Sequence, residues 1–112
     1  MVLEMNLSEF VTALRDPGTA DSLVNECVPG VDVGQVDVYL TPTLDLHSIV
    51  RLFDAEKIPN EIEIFIDGTS YINLFPLYMV RGFVADYVAT EDDQAKSSDI
   101  ASRLIEYRLK DA

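Results

Sequence analysis

The tightest constraint on this chain is Asp67-Gly68, a pair of turn formers set between two stretches that alternate apolar with other residues. Before it, residues 60–66 put Ile62, Ile64 and Ile66 on one side and Glu61, Glu63 and Phe65 on the other. After it, Ser70, Ile72 and Leu74 alternate with Tyr71, Asn73 and Phe75. Directly opposed residues of an antiparallel pair lie on the same sheet face, so a two-residue loop would set Ile62 and Ile64 against Asn73 and Tyr71. A three-residue loop, Ile66-Asp67-Gly68 with the glycine in the left-handed conformation, pairs Ile62 with Ile72 and Glu63 with Tyr71. The expectation is a hairpin in that odd register, with its isoleucines on one face.

Upstream, Gln35 to Leu40 alternates in the same way, with Val36, Val38 and Leu40 on one face and Asp37 and Tyr39 on the other, and reads as a half-buried strand. Thr41-Pro42 then offers an N-cap and a proline at the first helical position, and Leu46, Ile49, Val50 and Phe53 follow at helical spacing. A helix over 42–55 is expected. With the strands before and after it, that helix would form a right-handed parallel crossover.

The flanks read as helical. Asn6 with Glu9 makes a capping box ahead of Leu7, Phe10, Val11 and Leu14, and Asp16-Pro17-Gly18 stops that helix. Thr19 caps a second helix carrying Ala20, Leu23, Val24 and Cys27, ended by Pro29-Gly30. Residues 76–89 fit a helix on Leu77, Val80, Val84 and Val88, although Tyr78, Met79, Phe83 and Tyr87 make its other side apolar too; the competing reading is a strand pair turning at Arg81-Gly82. A polar connector, 91–97, leads to a last helix capped by Ser98 and carrying Ile100, Leu104, Ile105 and Leu109. The predicted architecture is α+β: a small mixed three-stranded sheet, built from a strand-helix-strand crossover plus a hairpin, packed with four to five helices.

At 112 residues and 48% apolar composition the chain can build one core, so 1–112 is read as a single domain. Met1 to Leu14 is broken by Glu4, Asn6, Ser8 and Glu9 and does not resemble a secretory signal. The apolar stretch 71–89 contains Asn73, Pro76, Arg81 and Asp86, which are costly in a bilayer. One cysteine, Cys27, rules out an internal disulfide and fits a reducing, cytoplasmic setting.

The formal net charge of −12 opposes direct binding to nucleic acid or to an anionic membrane, since both demand clustered Lys and Arg. Its natural complement is a basic protein, such as a toxin or a nucleic-acid-binding protein. A salt-rich cytoplasm, suggested by twelve Asp against three Lys, or a plain solubility shell would also account for the acidity.

Motifs for chemistry are sparse. His47 is the only histidine and sits among polar neighbours, and Cys27 beside Glu26 reads as a small apolar residue. Glu91-Asp92-Asp93 lacks the spaced ligands and glycine of a calcium loop. No phosphate-cradling loop, nucleophile elbow or zinc spacing is present, so neither cofactor nor metal is expected. An enzyme using side-chain carboxylates alone stays open, with Glu61 and Glu63 on the same strand face as candidates.

One pattern is more specific. The non-isoleucine face of the hairpin and the outward face of the first strand gather Tyr39, Phe65, Tyr71 and Phe75 with Asp37, Glu61, Glu63 and Asn73. Aromatic area mixed with carboxylates suits a surface that binds a cationic protein, as small acidic inhibitor or immunity-type proteins do by analogy of size and charge alone. Two other arrangements stay open at this point: helices covering that face so that its aromatics are core, and self-association through it. A small-molecule-binding or carboxylate-based enzyme domain is the alternative from another class.

Overall fold

The computed structural model describes residues 4–59, 61–91 and 96–111. Among these residues, four α-helices, α1 (Leu7–Leu14), α2 (Pro17–Cys27), α3 (Leu77–Glu91) and α4 (Ser97–Asp111), and four strands, β1 (Val36–Thr41), β2 (Ile49–Asp54), β3 (Glu63–Ile66) and β4 (Thr69–Pro76), make an α+β fold. The sheet is antiparallel throughout, in the order β2-β1-β4-β3. Most of the expected polar connector at 91–97, including Asp92 and Asp93, lies outside the described residues.

α1 begins as its sequence requires. The Asn6 side chain accepts from the Glu9 N–H at 2.9 Å and the Glu9 carboxylate accepts from the Asn6 N–H at 3.0 Å. Its Leu7, Phe10 and Val11 are fully buried, a stripe in which each side chain contributes about 1.5–3 kcal/mol of hydrophobic stabilisation. α2 starts earlier than Thr19: Asp16 is the cap, accepting from the Gly18 N–H at 3.0 Å, with Pro17 at the first helical position. Residues 76–89 take the helical reading, as α3 following Pro76.

Two expectations are overturned. Residues 42–55 are not a helix: turns occupy 42–48, where the Asp45 carboxylate accepts from the His47 N–H at 2.8 Å, and Ile49–Asp54 is β2, paired antiparallel with β1. The parallel crossover is therefore absent, and the sheet gains a strand. The competing signal was the run Ile49-Val50-Arg51-Leu52-Phe53, rich in β-branched and aromatic residues, whose Val50 and Leu52 alternate with Arg51 and Phe53. Spacing alone cannot separate a short apolar strand from a helical stripe.

The hairpin register also differs. Ile66 pairs with Thr69 and Ile64 with Tyr71, so the loop is the two-residue Asp67-Gly68, with φ of 51° and 81° at its two positions. Both central residues at positive φ make the type I′ turn whose twist matches that of the strands. Isoleucine does not mark one face and Tyr71 with Asn73 the other, because this sheet carries apolar residues on both faces.

All four helices pack on one face. Val36, Val38, Leu40, Val50, Leu52, Leu74 and Phe75 from that face join Phe10, Leu23, Val80, Leu104 and their helical neighbours in one core. Leu74 and Phe75 both enter it because the β1–β4 register jumps: Phe75 opposes Val38 while Asn73 opposes Tyr39, leaving Leu74 as an extra residue. Such a bulge lets consecutive side chains serve the same face.

Candidate binding surface on the hairpin side of the sheet

The register decides where each predicted residue falls. Asp37, Tyr39, Tyr71 and Asn73 share the helix-free face, with Phe53, Arg51 and Ile64. Glu63 and Phe65 lie on the opposite side, opposed to Ile72 and Ser70, at the outermost strand. Phe75 is turned into the helix-side core by the bulge and is lost from the predicted face. The expected single face carrying all eight residues is thus replaced by an aromatic face, an acidic outer strand and one core residue. Glu61 stands just before β3 and is exposed.

The helix-free face has its own small cluster. Phe53 meets Tyr39 edge-on at 5.4 Å and Tyr71 edge-on at 5.3 Å between ring centroids. Tyr39 and Ile64 are buried, yet neither belongs to the helix-side core. The connection from β2 to β3 joins the two outer strands of the sheet. It passes at Tyr39, whose Oη donates to the Glu61 carbonyl oxygen at 3.4 Å. At this point the connection acts as a strap tied to the tyrosine hydroxyl. Phe53, Tyr71 and Asn73 remain half-buried.

Where the strap meets the sheet, Asp37, Glu61, Ile62, Asn73 and Pro76 line a shallow cleft of about 280 Å³. Partial burial raises the Asp37 carboxyl above its ordinary 3.8. Burial also raises the Tyr39 phenol, with a hydrogen bond to the Asn73 side chain opposing the shift and the Asp37 charge adding to it. The cleft therefore brings together three of the predicted polar residues, Asp37, Glu61 and Asn73, next to the aromatic cluster. On the other side of the outer strand, Glu63 accepts from the Ser70 hydroxyl at 2.6 Å, and Phe65 is 69% exposed.

A second surface lay beyond the sequence reading. Along α3 and α4, Tyr78, Met79, Tyr107 and Leu109 are exposed. Phe83 packs edge-on against Tyr107 at 5.8 Å. Phe83, Tyr87, Arg103, Glu106, Tyr107 and Lys110 line an open cleft of about 470 Å³. The signal was the apolar residues all around 76–89, which a helix packed on one side only cannot bury.

His47 is exposed in the 42–48 turns, and burial raises the Cys27 thiol, which disfavours the reactive thiolate. Among the described residues no three His, Cys, Asp or Glu side chains stand together in a metal-holding group, and no helix is long and apolar enough to cross a membrane. No protein-family model, curated protein or solved structure matches this chain.

Proposed function

We propose that this chain is a non-enzymatic protein-binding module of the inhibitor or immunity type, which uses the hairpin side of its sheet to occupy a basic surface on a target protein. The observation that carries the reading is that, among the described residues, no α-helix packs over Phe53, Tyr71 and Asn73, beside a cleft whose charged residues, Asp37 and Glu61, are both acidic. Half-exposed rings supply contact area, and carboxylates steer a cationic partner and exclude anionic ones. The net charge of −12 extends that attraction beyond the contact itself.

The test is paired affinity capture from the source cell, with the native chain and Asp37→Lys/Glu61→Lys side by side. A basic protein retained by the first and lost by the second, with an association rate that falls as salt rises, supports the reading. Identical retention by both chains rejects it.

The α3–α4 surface favours a second reading, self-association, because its exposed aromatics are flanked by both signs of charge, Arg103 and Lys110 with Glu106. A two-fold interface needs a patch that complements itself, and mixed charge meets that need. Light scattering on the native chain and on Tyr107→Glu separates the two readings: a dimer that Tyr107→Glu dissociates belongs to this surface.

A further inference from the structure

The two outer strands of the sheet are finished differently. β2 is closed by the chain itself: Asn6 bridges to Ile49, and the Val50 N–H donates to the Met5 carbonyl oxygen at 2.9 Å. β3 has no such neighbour among the described residues, since it is the last strand of the sheet and pairs only with β4.

The turn fixes which backbone groups of β3 are free. In a two-residue hairpin the residues flanking the turn, Ile66 and Thr69, exchange hydrogen bonds with each other, and hydrogen-bonded and open pairs then alternate along the ladder. Ile64 with Tyr71 is the next hydrogen-bonded pair, and Ile62 with Asn73 the one after, consistent with the Asn73 N–H donating to the Ile62 carbonyl oxygen at 2.7 Å. The N–H and C=O of Glu63 and Phe65 therefore point away from β4, along the open edge.

Proteins guard such edges with lysine, proline or an inward charge, because a bare ladder recruits another strand. Residues 58–80 contain no Lys or Arg, and the charges they do contain are Glu61, Glu63 and Asp67. Ile62 and Phe65 stand 61% and 69% exposed along the same edge. Two copies of this chain pairing through β3 would oppose acid to acid, whereas a basic segment would find its complement.

We infer that β3 takes an extended basic segment of the target as a fifth strand, held by the free backbone groups of Glu63 and Phe65. The pleat sets the pattern of the guest. Side chains on one side of it lie beside Glu63 and Phe65, where a lysine can pair with the carboxylate and lay its stem on the ring; those on the other side lie beside Ile64 and Ile66 and should be apolar. This deepens the proposed function and rests on it, because it supplies a recognition mode at the sheet edge that adjoins the acidic cleft through Glu61 and Ile62.

The probe is a synthetic peptide of about ten residues alternating valine and lysine, titrated into the isotope-labelled full chain and followed by amide resonances and hydrogen exchange. Binding should slow exchange at the Glu63 and Phe65 amides, and a valine-glutamate peptide should bind at least about tenfold more weakly. Phe65→Pro removes an outward N–H without touching the β3–β4 ladder and should lower affinity about tenfold. Glu61→Lys/Glu63→Lys, which leaves the backbone unchanged, should do the same through charge and guards against a folding defect in the proline variant. No binding at millimolar peptide, or equal binding of the glutamate peptide, overturns the inference. Perturbation centred on Asp37, Tyr39 and Tyr71 instead of β3 also overturns it while leaving the protein-binding reading standing. Protection of β3 that grows with protein concentration alone would assign the edge to a second copy.

Discussion

Arg108 of α4 donates its Nε to the carbonyl oxygen of Asn73 at 3.1 Å, next to the extra residue that the bulge inserts into β4. The guanidinium also lies 5.9 Å from the centre of the Phe75 ring, and the residue is buried. A charged side chain thereby serves a strand carbonyl beside the irregularity and ties helix to sheet. Arg108→Met keeps most of the apolar stem but leaves that carbonyl without its donor. It should cost about 1–3 kcal/mol in a denaturant melt.

Gly68 tests the turn. Its φ of 81° is one that a β-branched residue resists, while an added Cβ would meet no atom within 4 Å. Gly68→Val should therefore destabilise by about 1 kcal/mol or more, through backbone conformation alone and not through collision. An unchanged thermal melt would contradict the type I′ geometry.

The two faces of the sheet should separate in mutagenesis. Tyr39 is 1% exposed, so Tyr39→Ala should cost about 3 kcal/mol or more. Phe65 is 69% exposed, and Phe65→Ala should leave stability within about 0.5 kcal/mol of the native chain. Equal losses in both, measured by urea unfolding, would mean that Phe65 is covered.

Asp37 gives a pH dependence of definite sign. Its folded carboxyl is raised above 3.8 by burial, so between the unfolded and folded values the unfolded chain gives up its proton first and stability falls as pH rises. Above that window the native protein carries the full penalty. Asp37→Asn should accordingly melt higher than the native chain at neutral pH, with the gain shrinking as pH is lowered towards 3.8. Thermal melts across that range check both the sign and the window. A carboxylate that weakens the fold at neutral pH is the kind of residue expected where recognition, not packing, sets the choice.

Local signals were readable where one short-range rule governs. Asn6 with Glu9 caps α1 as its spacing demands, and the alternation at 36–40 is β1. They misled where the decision depends on the partner. Nothing within 42–55 reveals that β1 lies beside Ile49–Asp54, and pairing with a neighbour outweighs a helical stripe of four apolar residues. The candidate surface inherited the register error: moving the hairpin by one residue sent Glu63 and Phe65 to the side opposite Tyr71, and the bulge removed Phe75. Asp37, Tyr39, Tyr71 and Asn73 stayed together because their side of the sheet follows from β1 and the central part of β4, which do not depend on the turn.

The packing of α1 against α4 has a consequence for the order of assembly. Thr12 Oγ1 donates to Ser97 Oγ at 2.7 Å across a sequence separation of 85 residues, and Leu7, Phe10 and Val11 are fully buried in the same core as Ile100 and Leu104. The hairpins can form from neighbours in sequence, whereas this contact joins α1 to an element far along the chain. The contact between α1 and α4 thus closes a loop that spans most of the chain, and non-local closures of this kind are the ones expected to form slowly.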